Sequence, residues 1–398
     1  MVRAAMEAIR QEAATAAGLD DFGDDWFLGP LAAWAEDLAQ PSLSDFGRRF
    51  LRSLAVRDVA RRLRVLDVLH RHPEIADVPV PPVIYITGLE RSGTTLLHNV
   101  LARHRAARAL LRWELMQPVP PPEAESHAHD PRIAAVQASV EKVRGSPLER
   151  MHWVNADEPE ECTWGLIDAV SMLGQAPFVC MPQWRRFLIE EDPTPAYLHY
   201  RRVVQILLWK HAVPPGGCLV LKSPPIAAHI AAFARVFPEA HFVVTDRDPY
   251  RCVVSMAAMG HSIIEPFCLD NPLTDDGTRH RIALSWISPK LPAISEFSTA
   301  RPERITHVAY PDLMADPTAV AQGVFAAAGL PTDDGLAKEV AAFLDAQRAG
   351  GRAAPPAQLP TMGYTEDDVR SDPVVAAYCH RFAVNPEVER LTGVHGSS

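Results

Sequence analysis

Val83-Ile84-Tyr85-Ile86-Thr87-Gly88-Leu89-Glu90-Arg91-Ser92-Gly93-Thr94-Thr95-Leu96-Leu97 decides the fold. An apolar, β-rich run stops at Gly88 and becomes a polar turn. A helical pattern starts near Thr94, with Leu97, Val100 and Leu101 on one face. The stretch therefore reads as a strand, an anion-cradling loop and a helix N-terminus. Unpaired backbone N–H groups and the helix dipole favour a phosphate there.

Gly88 and Gly93 have the spacing of a Walker A loop, but Thr94 stands where that motif needs Lys. Without the Lys, the usual clamp on the β- and γ-phosphates of a nucleoside triphosphate is missing. Arg91 supplies instead a planar cation suited to bidentate phosphate contacts. The loop reads as phosphate-binding and poorly as ATP-hydrolysing.

Downstream, Gly216-Gly217-Cys218-Leu219-Val220-Leu221-Lys222 reads as a short buried parallel strand. Ser223-Pro224-Pro225 then starts a helix whose stripe is Ile226, Ile230, Phe233, Ala234 and Phe237. A strand over 241–245 follows, and another over 305–309 leads to Tyr310-Pro311-Asp312-Leu313. These strand–helix–strand units imply right-handed parallel crossovers. The expected fold class is α/β: a P-loop-like three-layer arrangement with a parallel sheet flanked by helices, plus helical additions.

In such a sheet, ligands gather beyond the carboxyl ends of the strands. Three ends carry phosphate- or sulfate-capable groups: Arg91 to Thr95, Lys222-Ser223, and Arg247 with Ser255 eight positions on. An arginine gives a charged bidentate contact and a hydroxyl a directional one. Arg251 reads as a surface residue.

Upstream, residues 1–72 are helical in pattern, interrupted by the acidic turn 20–25, until Pro79, Pro81 and Pro82 end the helical pattern. Residues 131–212 are mostly helical. There, Asp157-Glu158-Pro159-Glu160-Glu161 precedes an apolar run at Cys162, and its carboxylates fit helix initiation. Trp153, Trp164, Trp184 and Trp209 either line an apolar acceptor pocket or pack in the core. The expected organisation is a helical segment over 1–78 packed on the core and an α/β catalytic domain over 79–348. The domain holds a helical insertion over about 120–212. A loop and helical tail fill 349–398, with a mobile stretch from Ala349 to Pro356. His127-Ala128-His129-Asp130 reads as a solvated loop rather than a metal site, having no Cys or further ligand run nearby.

The chain has 398 residues, 47% of them hydrophobic, enough for a large core. A net charge of −10 argues against general affinity for nucleic acid or anionic membrane, so a nucleotide would need locally concentrated Arg and Lys. No early apolar run suits a signal peptide or membrane span. Six cysteines without CxxC spacing fit a reduced, cytoplasmic protein.

At Leu89 to Leu97 the chain resembles the superfamily of sulfotransferases that use 3'-phosphoadenosine 5'-phosphosulfate (PAPS), nearest its bacterial and tyrosylprotein-type branch. That branch has Pro where Glu90 stands. Leu221-Lys222-Ser223-Pro224, Phe237-Pro238-Glu239-Ala240, Arg247-Asp248-Pro249 and Tyr310-Pro311-Asp312-Leu313 follow in family order, so the resemblance covers roughly 83–318. It implies PAPS as donor co-substrate, with Arg91, Ser92, Gly93, Thr94 and Thr95 at its 5' side. Arg247 and Ser255 would hold its 3'-phosphate, and Tyr310 completes the implied donor site. Relatives often have His where Pro225 and Asp246 stand; His229 is no obvious substitute.

Sulfuryl transfer rests on positioning and charge stabilisation. The resemblance implies Arg91 and Lys222 as catalytic cations and Glu114 as general base. His98, His152, Glu90 and Glu158 are the other candidate bases. No metal is expected, because sulfate carries less charge than a phosphoryl group. The composition suits a small, partly apolar hydroxyl acceptor. A nucleotide kinase or NTP-binding regulator, and a binding module without turnover, are the alternative classes.

Overall fold

The computed structural model describes residues 1–142, 144, 155–169, 181–264, 266–270, 282, 284–332, 334–349 and 365–387. At its centre is a five-stranded, all-parallel sheet in the order β2-β3-β1-β4-β5. The strands are β1 Val83–Gly88, β2 Ala107–Ala109, β3 Cys218–Lys222, β4 Ala240–Asp246 and β5 Ile305–Ala309. β1 is central and buried along its whole length, which accounts for its unbroken apolar run. Its neighbours β3 and β4 therefore bring Lys222 and Asp246–Arg247 to the same edge as the loop after Gly88.

On one side of the chain's start, α1 Val2–Ala17, α2 Leu28–Asp37 and α3 Asp45–Arg71 form a helical layer. Their apolar residues share one core cluster with Tyr85, Leu221 and Phe242 of the sheet. The opposite face of the sheet packs on α4 Thr94–Leu101 and the helices Pro317–Ala327 and Leu336–Ala349, through Leu97, Val324 and Val340. The α/β architecture with helices on both faces is as the sequence predicts.

Local differences have physical causes. Residues 224–229 form a 3₁₀ turn before the helix Ile230–Val236, so the regular α-helix starts six residues after Pro224 rather than at the prolines. β2 was not predicted: three residues are too few to show a strand period. Cys162–Ala169 is 3₁₀, and its first turn holds no carboxylate, so the acidic run before it does not serve helix initiation. Cys162, Cys218, Cys252 and Cys379 are free thiols, whereas Cys268 is disulfide-bonded. The expectation of a fully reduced chain is corrected there; chain spacing carries no information on cysteines the fold brings together. His152, Trp153, Cys180 and most of the expected mobile stretch lie outside the described residues. No helix among the described residues is long and apolar enough to cross a membrane.

The turn out of β1 tolerates only glycine at its first position. Gly88 has φ 129°, and a Cβ there would sit 2.9 Å from the backbone oxygen of Thr245 on β4. Gly88→Ala is expected to destabilise the fold by roughly 2–4 kcal/mol, from the strained φ and the forced separation of two paired strands. A urea titration should show a lower midpoint at unchanged slope.

Candidate active site

The loop after β1 closes on itself before α4 begins. Ser92 Oγ donates to Leu89 O and meets Thr245 Oγ1, each at 2.5 Å, which fixes the turn to β4. Gly93 (φ 91°) is the N-cap of α4, and no side chain caps that end. The N-terminal amides of α4, beside Thr94 and Thr95, are thus oriented for an anion. Arg91 adopts φ 70°, an unusual left-handed conformation for a side-chain-bearing residue. Arg247 NH1 donates to its carbonyl at 2.7 Å, and Arg91 Nε donates to Ser255 Oγ at 2.9 Å.

The expected Arg247–Ser255 pair therefore meets the expected phosphate loop at Arg91. Ser255 lies on the helix Pro249–Ile264, which starts two residues after Arg247. Tyr310, at the end of β5, stacks under Arg247, its ring centroid 4.0 Å from the guanidinium carbon. Burial and the neighbouring Arg247 push the Arg91 guanidinium below its ordinary pKa. Two half-buried like charges side by side favour an anion between or beside them. Arg247 moves the opposite way despite its burial, because Glu387 hydrogen-bonds to it.

Lys222 ends β3 almost fully buried, with Nζ 2.6 Å from Glu161 Oε1 and 3.4 Å from Thr95 Oγ1. It thereby joins the phosphate loop to a carboxylate. Thr163 Oγ1 donates to Glu161 Oε2 at 3.4 Å and lies 3.1 Å from Ser223 Oγ. What aims Glu161 is backbone pairing: Arg112 N donates to Glu158 O and Glu160 N to Leu110 O, laying the acidic run antiparallel to residues 110–113. Arg61 on α3 fixes the other side, donating to Leu115 O at 2.6 Å and Trp164 O at 2.8 Å. Glu160 turns away to Arg112 at 2.5 Å.

Glu114 is not at this junction. It is fully buried, with Oε1 2.6 Å from Arg108 NH2 and Oε2 accepting from Leu111 N at 2.8 Å. Burial alone would raise its pKa, but Arg108 and His127 outweigh that and lower it. A carboxylate so held is a weak base with no route to an acceptor. His98 is fully buried beside Lys222, and both effects push its pKa down to about 3. Glu90 forms an ion pair with Lys290, which answers the charge that replaces the family's Pro. Asp246 takes Tyr378 Oη on one oxygen and His307 Nδ1 at 2.8 Å on the other, so it ties β4 to β5 and the helix Pro373–Phe382.

The stretch 127–130 is a short surface turn with no buried residue, as expected, but the His127 side chain is half-buried and faces inward. With Glu114 and His211 it forms a group whose ligand atoms lie within 4.8 Å of one another. Arg108 already places a cation on that carboxylate, opposing a metal ion. Beside Thr163 and Ser223 opens an apolar cavity walled by Trp26, Leu166, Phe187, Tyr197 and Ile226, with Pro225 in its lining. Among the tryptophans expected for such a pocket, Trp184 packs edge-on against Trp34 in the core instead, and Trp164 lies under Arg112. The lining tryptophan, Trp26, comes from the N-terminal layer.

The sequence does not single out Glu161 or Glu387, which the fold places on Lys222 and Arg247. Glu161 stood in the acidic run, but five near-contiguous acidic or proline positions gave no sign of which one the pairing to 110–113 would select. Glu387 is one glutamate in a tail, with no motif around it.

A central parallel strand, a glycine turn and an uncapped helix define a P-loop-like α/β protein. The chain belongs to the sulfotransferase family, whose model matches residues 82–334. It is 24% identical over 248 residues to the omega-hydroxy-beta-dihydromenaquinone-9 sulfotransferases Stf3 of Mycobacterium bovis and Mycobacterium tuberculosis. Those matches take in 59% of this chain and 60% of each relative. Among solved structures it resembles the sulfotransferase STF9 from Mycobacterium avium, with TM-score 0.84 and 26% identity, over 96% of this chain and 97% of that one. The sulfotransferase STF1 from Mycobacterium tuberculosis has the same fold, at TM-score 0.76 and 23% identity over 95% of this chain and 98% of that one.

Proposed function

We propose that the protein moves a sulfuryl group from PAPS to the hydroxyl of a small, largely apolar acceptor. The observation that carries this reading is the direct contact of Arg91 with both Arg247 and Ser255 at the mouth of a lysine-less phosphate loop. It suits a ligand with two separate phosphate-type groups better than a nucleoside triphosphate. In this reading the α4 amides, Thr94, Thr95 and Arg91 take the 5' side, while Arg247, Ser255 and Tyr310 take the 3'-phosphate.

Glu161 is the general base. It accepts the acceptor's hydroxyl proton as the new oxygen–sulfur bond forms and the sulfur–oxygen bond to the 5'-phosphate breaks. Lys222 and Arg91 offset the charge that grows on the leaving adenosine 3',5'-bisphosphate. Only groups whose contacts strengthen in the transition state accelerate the step, and buried cations are worth most there. No step requires a metal.

The acceptor class follows from the cavity beside Thr163 and Ser223, which are linked to Glu161 through one hydroxyl. Mostly apolar walls, with Thr163 and Ser223 on the Glu161 side and Glu191, Asp192 and His229 also in the lining, suit an alkyl, isoprenoid or phenolic alcohol presented hydroxyl first. The curated relatives are named for a hydroxylated menaquinone, which is a compatible chemistry.

The test is mass-spectrometric detection of transfer from PAPS across linear alcohols, isoprenoid alcohols, phenols and sugars. Sulfated apolar alcohols or phenols are expected. Sulfation of sugars alone overturns the acceptor class, and phosphoryl transfer from ATP overturns the reaction.

A further inference from the structure

The arginine assigned to the 3'-phosphate already holds an anion. Arg247 Nε donates to Glu387 Oε1 at 2.7 Å and NH2 to Oε2 at 3.0 Å, a parallel two-bond fork. Its third nitrogen, NH1, is on the Arg91 carbonyl, and its face is on Tyr310. A phosphate can use the Nε/NH2 edge only by replacing this carboxylate. Carboxylate and phosphate oxygens compete for the same fork because both match its spacing.

The segment that delivers Glu387 is short and separately anchored at each end. The helix Pro373–Phe382 is tied down by Tyr378 to Asp246 and stops at Ala383, a non-glycine residue at φ 52°. Beyond it, Glu387 N donates to Asp248 Oδ2 at 3.2 Å, and Arg251 NH2 donates to Glu387 O at 3.2 Å. Arg370 NH2 holds the same Asp248 oxygen at 2.6 Å. Among the described residues, Arg91, Arg251, Cys252 and Tyr310 surround the Arg247–Glu387 fork, with Asp248 behind the segment. The Glu387 side chain is 26% exposed, so it has a path to solvent.

We propose that Glu387 is an internal ligand of the 3'-phosphate subsite: it occupies the Arg247 fork in the free enzyme, and donor binding expels it together with residues 383–387. The proposal rests on the reading that Arg247 receives the donor's 3'-phosphate. Its physical basis is charge. With the site empty, Arg91 and Arg247 are neighbouring half-buried cations, and Glu387 supplies a carboxylate to Arg247. A dianionic phosphate brings more charge to the same fork and releases the carboxylate to water. The free enzyme is therefore stabilised and at the same time binds its donor less tightly than the bare site would.

The experiment is titration calorimetry on the full chain with adenosine 3',5'-bisphosphate and with 5'-AMP, for wild type, Glu387→Gln, Arg247→Ala and the double variant. Glu387→Gln is expected to tighten the bisphosphate about 10- to 100-fold, the weight of a hydrogen bond to a charged group. The same change should move 5'-AMP by less than about two-fold and disappear in the Arg247→Ala background. Amide exchange on the wild type gives a readout that needs no variant: residues 383–387 should lose protection when the bisphosphate saturates the site. If the wild type binds bisphosphate and Arg247→Ala weakens it, yet Glu387→Gln does not tighten it or 383–387 stay protected, the internal-ligand proposal is overturned and the donor reading stands. If Arg247→Ala leaves bisphosphate affinity unchanged, the donor reading fails and takes this proposal with it.

Discussion

Glu161→Gln is expected to lower kcat by about 10²–10⁴-fold, the usual loss when a general base is removed. The amide keeps the shape and a hydrogen bond from Lys222 but cannot take the acceptor's proton. Affinity for adenosine 3',5'-bisphosphate should stay within a few-fold, since the direct contact of Glu161 toward the donor site is with Lys222. Glu114→Gln makes the contrast. It leaves Arg108 buried beside a neutral amide, and breaking a buried pair in this way costs about 3–5 kcal/mol. Its effect should appear in the melting temperature, with kcat of the folded fraction retained. Single-turnover kinetics and thermal unfolding on both variants decide the assignment. If Glu114→Gln slows the chemical step and Glu161→Gln does not, the base has been misassigned.

The second large effect divides the two arginines. Arg91→Ala should lower kcat by about 10²–10³-fold as well as weakening donor binding, because charge accumulates beside it as the bond to the 5'-phosphate breaks. Arg247→Ala should raise the donor KM and leave kcat at saturating donor nearly unchanged, since the 3'-phosphate is remote from the reacting sulfur. Equal falls in kcat from both substitutions would refute this division.

The parts of the account legible in the sequence are those whose chemistry is contiguous. Val83 to Leu97 carries strand, turn and helix N-terminus in one stretch, and the apolar runs ending at Lys222 and Asp246 announce strands whose ends must converge. The site residues were harder where tertiary pairing selects among equivalents. Glu114 sits at a position the family resemblance favours, but Arg108, six residues earlier on β2, captures it. A three-residue strand leaves no period by which that capture could be foreseen. Lys222 and its partner Glu161 are 61 positions apart, and Arg247 and Glu387 are 140 apart, so no local pattern links either pair. The departures at Glu90 and Asp246 were visible, but their consequences were not. Lys290 answers the first, and His307 with Tyr378 answers the second. The tryptophans of the insertion read equally as cavity wall or core; the insertion lines the cavity with Phe187 and Tyr197, whereas the tryptophan there, Trp26, arrives from the N-terminal layer.

The central claim is that the lysine-less loop and Arg247 together form a donor site for a 3'-phosphorylated adenosine nucleotide. It is tested most directly by calorimetric titration of the wild-type chain with adenosine 3',5'-bisphosphate, 5'-AMP and ATP, with and without magnesium. The account predicts one-to-one binding of the bisphosphate, independent of magnesium and at least ten-fold tighter than 5'-AMP, in line with one charge-assisted phosphate fork. Equal affinity for 5'-AMP, or tighter magnesium-dependent binding of ATP, would contradict it.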